Sequence, residues 1–167
     1  MRLFIIGILS VISFSTYAQV VGGKQKLPEL VLKTLDGKEK NLNDYSKNEK
    51  FTIVSFWATW CTPCKKELQN VSDLLPEWQE EFDVELLAIS IDNARNAMKV
   101  KPFVQGKGWE FDVLLDINQD TQRELNFQTV PYSMLVDDSG NIVYKHTGYY
   151  EGDEYEMIDK IEEYSKK

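Results

Sequence analysis

Residues 51–67 read FTIVSFWATWCTPCKKE. The opening run, Phe51 to Trp57, is too continuously apolar for a strand with one face in water. It predicts a central strand of a sheet covered on both sides. Cys61 and Cys64 follow where the pattern changes, and they are the only two cysteines in the chain. Beyond them Cys64, Leu68, Val71, Leu75, Trp78 and Phe82 recur at alternating spacings of four and three. That is a single apolar stripe on a helix of about five turns. Pro76 interrupts the stripe and predicts a kink or a division there.

Downstream, Val84 to Ile91 reads as a second buried strand. Asp92 to Gly108 predicts two short helices, the second starting near Pro102. Phe111 to Leu115 predicts a third strand and Gln119 to Leu125 a short helix. Val130-Pro131 precedes a strand at Tyr132 to Asp137. Asp138-Ser139-Gly140 then turns the chain into Asn141 to Thr147, an antiparallel hairpin. Asp153 is expected to cap a final helix with Glu156 as its capping-box partner, and Met157, Ile158, Ile161 and Tyr164 mark that helix's buried side. Upstream, Asp36-Gly37 predicts a two-residue hairpin turn within Leu27 to Leu42, and Asn43 to Lys50 reads as a polar loop. Strands alternating with helices, then a hairpin and a closing helix, give an α/β class with a mixed sheet in one domain, residues 27–167.

The first eighteen residues stand apart. Met1-Arg2 is a basic start, Leu3 to Phe14 is mostly apolar, and Thr16 and Ala18 are small residues where a signal peptidase reads. Residues 1–18 are therefore expected to be a secretory signal, the alternative being a retained anchor. The run is short for a membrane span, which needs about 20 apolar residues. Residues 19–26, with Gly22-Gly23, read as a flexible leader. The 167-residue chain carries 27 acidic against 19 basic residues, a net charge of −8. That balance argues against nucleic acid and against an anionic membrane surface as partners. A monomer is expected.

Export would place the protein where disulfides persist. A Cys-x-x-Cys loop, however, restricts the unfolded chain by only about 2 kcal/mol, so stability is a poor reason for the pair. At a strand-to-helix junction this spacing is the redox form of the motif. A structural zinc site needs four ligands, and the only other candidate here is His146, which reads as an ordinary strand residue, so no metal is expected. Cys61 falls at the helix N-terminus, where free N–H groups and the dipole favour a thiolate. Such environments lower a thiol from about 8.5 to about 3.5–7.5. Cys64, one turn further on the apolar stripe, is expected to be buried. Cys61 is therefore assigned as nucleophile and Cys64 as the resolving thiol. Pro63 fits the first helical turn, which needs no N–H there.

WCTPC after an apolar strand, with Val130-Pro131 far downstream, resembles the thioredoxin superfamily. The longer string FWATWCTPCKKEL is similar to its secreted TlpA/ResA-type branch of thiol-disulfide oxidoreductases. The resemblance spans roughly Leu27 to Lys167 and rests on the motifs as a set. It implies a thioredoxin-like central sheet with helices on both faces and an extra N-terminal β-hairpin. It also implies that Pro131 is a cis proline whose loop lies beside the cysteines and accepts the substrate's backbone. Without it, a trans proline opening an edge strand is the ordinary reading. Glu67 matches a glutamate that tunes cysteine protonation in that branch, and as a proton acceptor it would serve Cys64. The other reading is a first-turn acid favoured by the helix dipole. Thioredoxin's own aspartate position is Ser55 here, which cannot act as an acid. Trp60, Thr62, Pro63, Val130 and Pro131 are the expected substrate-binding residues, and Trp57 is expected to pack in the core. Tyr132 stands where many relatives have threonine, which bears on the shape of the groove.

The activity implied is reduction of disulfides in exported proteins in the periplasm or cell envelope, cytochrome c maturation among them. A membrane thiol carrier would be the electron donor, with no cofactor beyond the cysteine pair. A thiol peroxidase is one alternative, but it expects threonine three before the reactive cysteine, where this chain has Ala58. Copper delivery or a non-enzymatic docking role is the other.

Overall fold

The computed structural model describes residues 25–47 and 49–166. The expected signal and residues 19–24 of the expected leader lie outside them. Gln25 and Lys26 are already part of the fold: Lys26 bridges Asn141, and the Gln25 carbonyl accepts the Ile142 N–H at 2.7 Å. These two residues, at the end of the expected leader, thus run beside the start of the strand at Ile142. Among the described residues no helix is long and apolar enough to cross a membrane.

Among the described residues seven strands form one sheet: β1 (Val31–Thr34), β2 (Glu39–Asn41), β3 (Phe51–Trp57), β4 (Val84–Ser90), β5 (Asp112–Leu115), β6 (Tyr132–Val136) and β7 (Ile142–Thr147). Their order is β2-β1-β5-β4-β3-β6-β7. β3, β4 and β5 are parallel, while the β1–β2 hairpin and the β6–β7 hairpin flank them antiparallel. The helices are α1 (Thr62–Phe82), α2 (Val100–Lys107), α3 (Asp120–Leu125) and α4 (Asp153–Ser165). Every residue of β3 is buried, as its mostly apolar sequence requires for a strand with neighbours on both edges and cover on both faces.

The alternation of β3 sorts the layers. Ser55 and Trp57 face α1 and α2: Ser55 meets Glu67 of α1, and the Trp57 ring meets Phe103 and Trp109 at 5.7 and 5.4 Å between centroids. Thr52 and Phe56 face the other way. Thr52 donates to the Tyr45 carbonyl at 2.9 Å, and Phe56 packs 4.6 Å from Phe127, just beyond α3. Helices thus cover both faces, as expected.

Four local expectations are corrected. α1 is not divided at Pro76 but continues through it as one helix. Pro76 sits on the exposed side beside Ser72, at an open groove, so the Ser72 carbonyl that loses its intrahelical N–H donor is not sealed in apolar surroundings. Asn43 to Ser46 is not loop but part of a 3-10 turn, Leu42–Ser46, capped by Asn41 and anchored by the buried Tyr45, whose hydroxyl donates to Asp112 at 2.6 Å. The β1–β2 connection is longer than two residues, with only Gly37 at positive φ. Asp153 is the first residue of α4 rather than its cap. Gly152, at φ 106°, is the cap. The Asp153 carboxylate accepts from the Tyr150 N–H at 2.7 Å and approaches His146 Nε2 at 3.2 Å, so no capping box forms with Glu156.

Candidate active site

β3 ends at Trp57, whose carbonyl is held by the Ile91 N–H at 2.9 Å. The chain then turns through Ala58, Thr59 and Trp60. Asp92, 1% exposed at the end of β4, fixes that turn. It accepts from the Thr59 N–H at 2.7 Å, the Thr59 hydroxyl at 2.8 Å and the Ser90 hydroxyl at 2.9 Å. The Ala58 carbonyl accepts the Cys61 N–H at 3.0 Å, and Lys65 donates to the Thr59 carbonyl at 3.1 Å. The cysteine loop is therefore bolted to both β4 and α1 before it reaches the sulfur.

Cys61 is the N-cap of α1, in extended backbone, and its sulfur accepts the Cys64 N–H at 3.2 Å. It stands at the positive end of a 21-residue helix, which favours negative charge. Cys61 and Cys64 are joined as a disulfide with Cα atoms 5.4 Å apart. Cys61 keeps 5% exposure and Cys64 none, the asymmetry that an attacking and a resolving sulfur need. Thr62 and Pro63 are exposed in the first turn, and Trp60 is 60% exposed beside the pair.

The Val130-Pro131 bond is cis. Tyr132 pairs with Phe56 in the antiparallel β3–β6 register. Val130 and Pro131 therefore lie at the end of the sheet from which β3 launches the cysteine loop. Pro131 is buried and Val130 half-buried. Tyr132 turns away from any groove: it is 7% exposed, and its ring stacks on Phe127 at 4.5 Å.

Glu67 is 7% exposed on α1, one turn beyond Cys64. Its carboxylate accepts from Ser133 at 2.5 Å and faces Ser55 at 3.4 Å. Burial pushes it up to about 7, against the pull of those two hydroxyls, and the charges of Asp153 and Glu154 push the same way. A proton acceptor working near neutrality needs such a value. Trp57 is fully buried, as expected of a core residue. His146 is not remote from this group: it lies opposite Ser133 and lines, with Glu67, Ser55 and Asp153, a cavity of about 10 Å³, close to the lower limit for one water.

The structure brings Cys61, Cys64 and Glu67 to one end of α1, with Val130 and Pro131 at the matching end of β6. Sequence reasoning missed Ser133 and Asp92 and took Ser55 only as an absent acid. The available signal was a hydroxyl or carboxylate within otherwise apolar strand sequence, IVSFW, YSMLV and AISID.

Residues 24–145 match the AhpC/TSA family. The thiol-disulfide oxidoreductase ResA of Bacillus thuringiensis (strain Al Hakam) is 32% identical over 173 residues, covering 99% of this chain and 94% of that protein. An uncharacterized thioredoxin-like protein from Porphyromonas gingivalis, solved in solution, is 46% identical with a TM-score of 0.73, covering 82% of this chain and 90% of that one. The thioredoxin domain of a thiol-disulfide oxidoreductase from Bacteroides vulgatus is similar in fold, with a TM-score of 0.67 at 22% identity over 82% of this chain and 95% of that one.

Proposed function

Since this chain belongs to the AhpC/TSA family and is a thioredoxin-like thiol-disulfide oxidoreductase of the ResA type, we propose that its Cys61–Cys64 couple reduces disulfides in exported proteins. The observation that carries this is the sulfur asymmetry. Cys61 caps the helix with a little exposure, while Cys64 has none and is followed one turn later by a buried carboxylate.

In the reduced protein the Cys61 thiolate attacks one sulfur of the substrate disulfide. A new S–S bond forms to Cys61, the substrate's own S–S bond breaks, and its second sulfur leaves as a thiolate that takes a proton from water. Cys64 then gives its proton to Glu67 and attacks the Cys61 sulfur, expelling the remaining substrate thiolate. Two electrons pass to the substrate and the disulfide seen here is the product. A thiol carrier in the membrane would restore the dithiol. Trp60, Thr62 and Pro63 would border the bound chain. Pairing with its backbone would fall to Val130, because the Pro131 carbonyl already accepts the Gly148 N–H at 2.9 Å. The signal-like N-terminus and the ResA relatives support a site of action outside the cytoplasm. Apocytochrome c before haem attachment is one such substrate.

The thiol peroxidase reading loses support on two residues. Ala58 occupies the position where that chemistry needs threonine, and the neighbouring Thr59 hydroxyl is committed to Asp92 at 2.8 Å.

An insulin-reduction assay with a dithiol donor tests the proposal. Cys61→Ser should abolish turnover, and Cys64→Ser should accumulate mixed disulfides whose attached protein can be identified. Unchanged turnover by Cys61→Ser overturns it.

A further inference from the structure

Between Asp92 and Glu110 the chain carries Arg95, Lys99, Lys101 and Lys107 and no acidic residue. This is a local reversal of sign in a chain of net charge −8. The segment folds as a 3-10 turn, Ala97–Lys99, running into α2, and borders the N-terminal half of α1. Two open clefts lie along that border. One, of about 400 Å³, runs from Thr59 and Trp60 to Lys99. The other, of about 440 Å³, runs from Thr62 to Lys107. They share Lys65 and Phe103, and no carboxylate lines either. Trp60 and Thr62 flank Cys61 in sequence, so each cleft ends at a residue next to the reacting cysteine.

The charges in the clefts differ in what they already hold. Lys66 is paired with Glu151 at 2.6 Å, and neighbouring Lys101 with Asp36 at 2.7 Å. Lys65 donates to the Thr59 carbonyl while standing 5.7 Å over the Phe103 ring, and Lys99 donates to the Asn96 side-chain oxygen at 2.9 Å. Those acceptors are neutral and leave the positive charge uncompensated. Lys107 is exposed at the far end of the second cleft.

We infer that these clefts are a docking surface for an acidic polypeptide segment next to the target disulfide. Its carboxylates would meet Lys65, Lys99 and Lys107, and an apolar side chain would lie against Phe103 and Trp60. Opposite charge across an interface speeds encounter and sets register, and a cleft focuses that field at the sulfur. A flat anionic bilayer fits less well: Glu151 stands at the rim beside Lys66, and Asp153, Glu154 and Glu156 follow it in the first turn of α4. The inference deepens the oxidoreductase reading by naming its substrate class and rests on it.

The test uses the reduced full chain and three disulfide-linked peptides that differ only in two residues beside the cysteine, both Glu, both Gln or both Lys. At low ionic strength the Glu peptide should be reduced about tenfold faster than the Gln peptide, and the Lys peptide more slowly than either. The spread should collapse in about 0.5 M salt. The double variant Lys99→Glu/Lys107→Glu should reverse the order. Equal rates, or a preference for the Lys peptide, overturn the inference, as does displacement of the Glu peptide by phosphatidylglycerol vesicles. If no peptide is reduced at all, the oxidoreductase reading falls instead. The surface is then judged by tryptophan fluorescence with a cysteine-free Glu peptide, and absence of salt-dependent binding overturns it.

Discussion

Ser133 donates a 2.5 Å hydrogen bond to Glu67, joining strand β6 to helix α1 behind the disulfide. The residues are 66 apart in sequence. The β3–β6 register sets Ser133 opposite Ser55, so two hydroxyls meet the Glu67 carboxylate in a cavity that apolar side chains line together with His146, Asp153 and Glu154.

That carboxylate makes stability depend on pH. In the unfolded chain it ionises near 4.5, and in the fold near 7, chiefly because it is buried. Between those values the folded state holds the extra proton. Glu67's contribution is therefore complete below pH about 4.5, falls as pH rises to about 7, and is flat above. The loss amounts to about 3 kcal/mol. Denaturant unfolding of the oxidised protein and of Glu67→Gln should show the variant gaining about that much on the parent between about pH 4 and pH 8. A constant difference across the range would contradict the assignment.

The same group should shape the kinetics. Resolution of a mixed disulfide by Cys64 should accelerate through pH 7 as Glu67 becomes able to accept a proton. Glu67→Gln should lose that inflection and slow the step by about 100-fold at neutral pH. Stopped-flow release of a chromophoric thiol reads it directly. A Gln profile that keeps the inflection would assign it to another group.

Asp92 is the second buried acid with an assigned task. Asp92→Ala removes the acceptor for the Thr59 N–H and for the Thr59 and Ser90 hydroxyls. It should cost about 2 kcal/mol, because a half-buried N–H and hydroxyl at Thr59 and the buried Ser90 hydroxyl lose their shared acceptor. Equilibrium unfolding in denaturant gives the number.

Gly140, in the β6–β7 turn, has φ +77°, and an added Cβ would run into the Ser46 carbonyl. That carbonyl is backbone and has little room to give. Gly140→Ala should therefore cost about 2 kcal/mol, measured as a drop in thermal midpoint.

The fold was largely legible because its signals are local. The β3 run, the α1 stripe and the cysteine spacing each fit within a few turns of chain. The cis form of Pro131 was legible only through resemblance, since isolated X–Pro bonds favour trans. Ser133, Asp92 and the approach of His146 were not legible. Each acquires its partner through strand pairing or a turn that brings together residues distant in sequence. The misplaced cap at Asp153 has a related cause: its carboxylate faces His146 and the Tyr150 N–H, contacts that a search confined to helix-start patterns does not weigh. Pro76 misled because its local cost is real but falls where water can reach the backbone.

Cys61 shows only 5% of its surface, and displacement at sulfur requires three sulfur atoms nearly in line. A crosslink carried on a slack, unfolded stretch should therefore be exchanged faster than the same crosslink held inside a rigid, convex native domain. Parallel reduction of one protein in its native and its unfolded form reads that difference, and equal rates would contradict it.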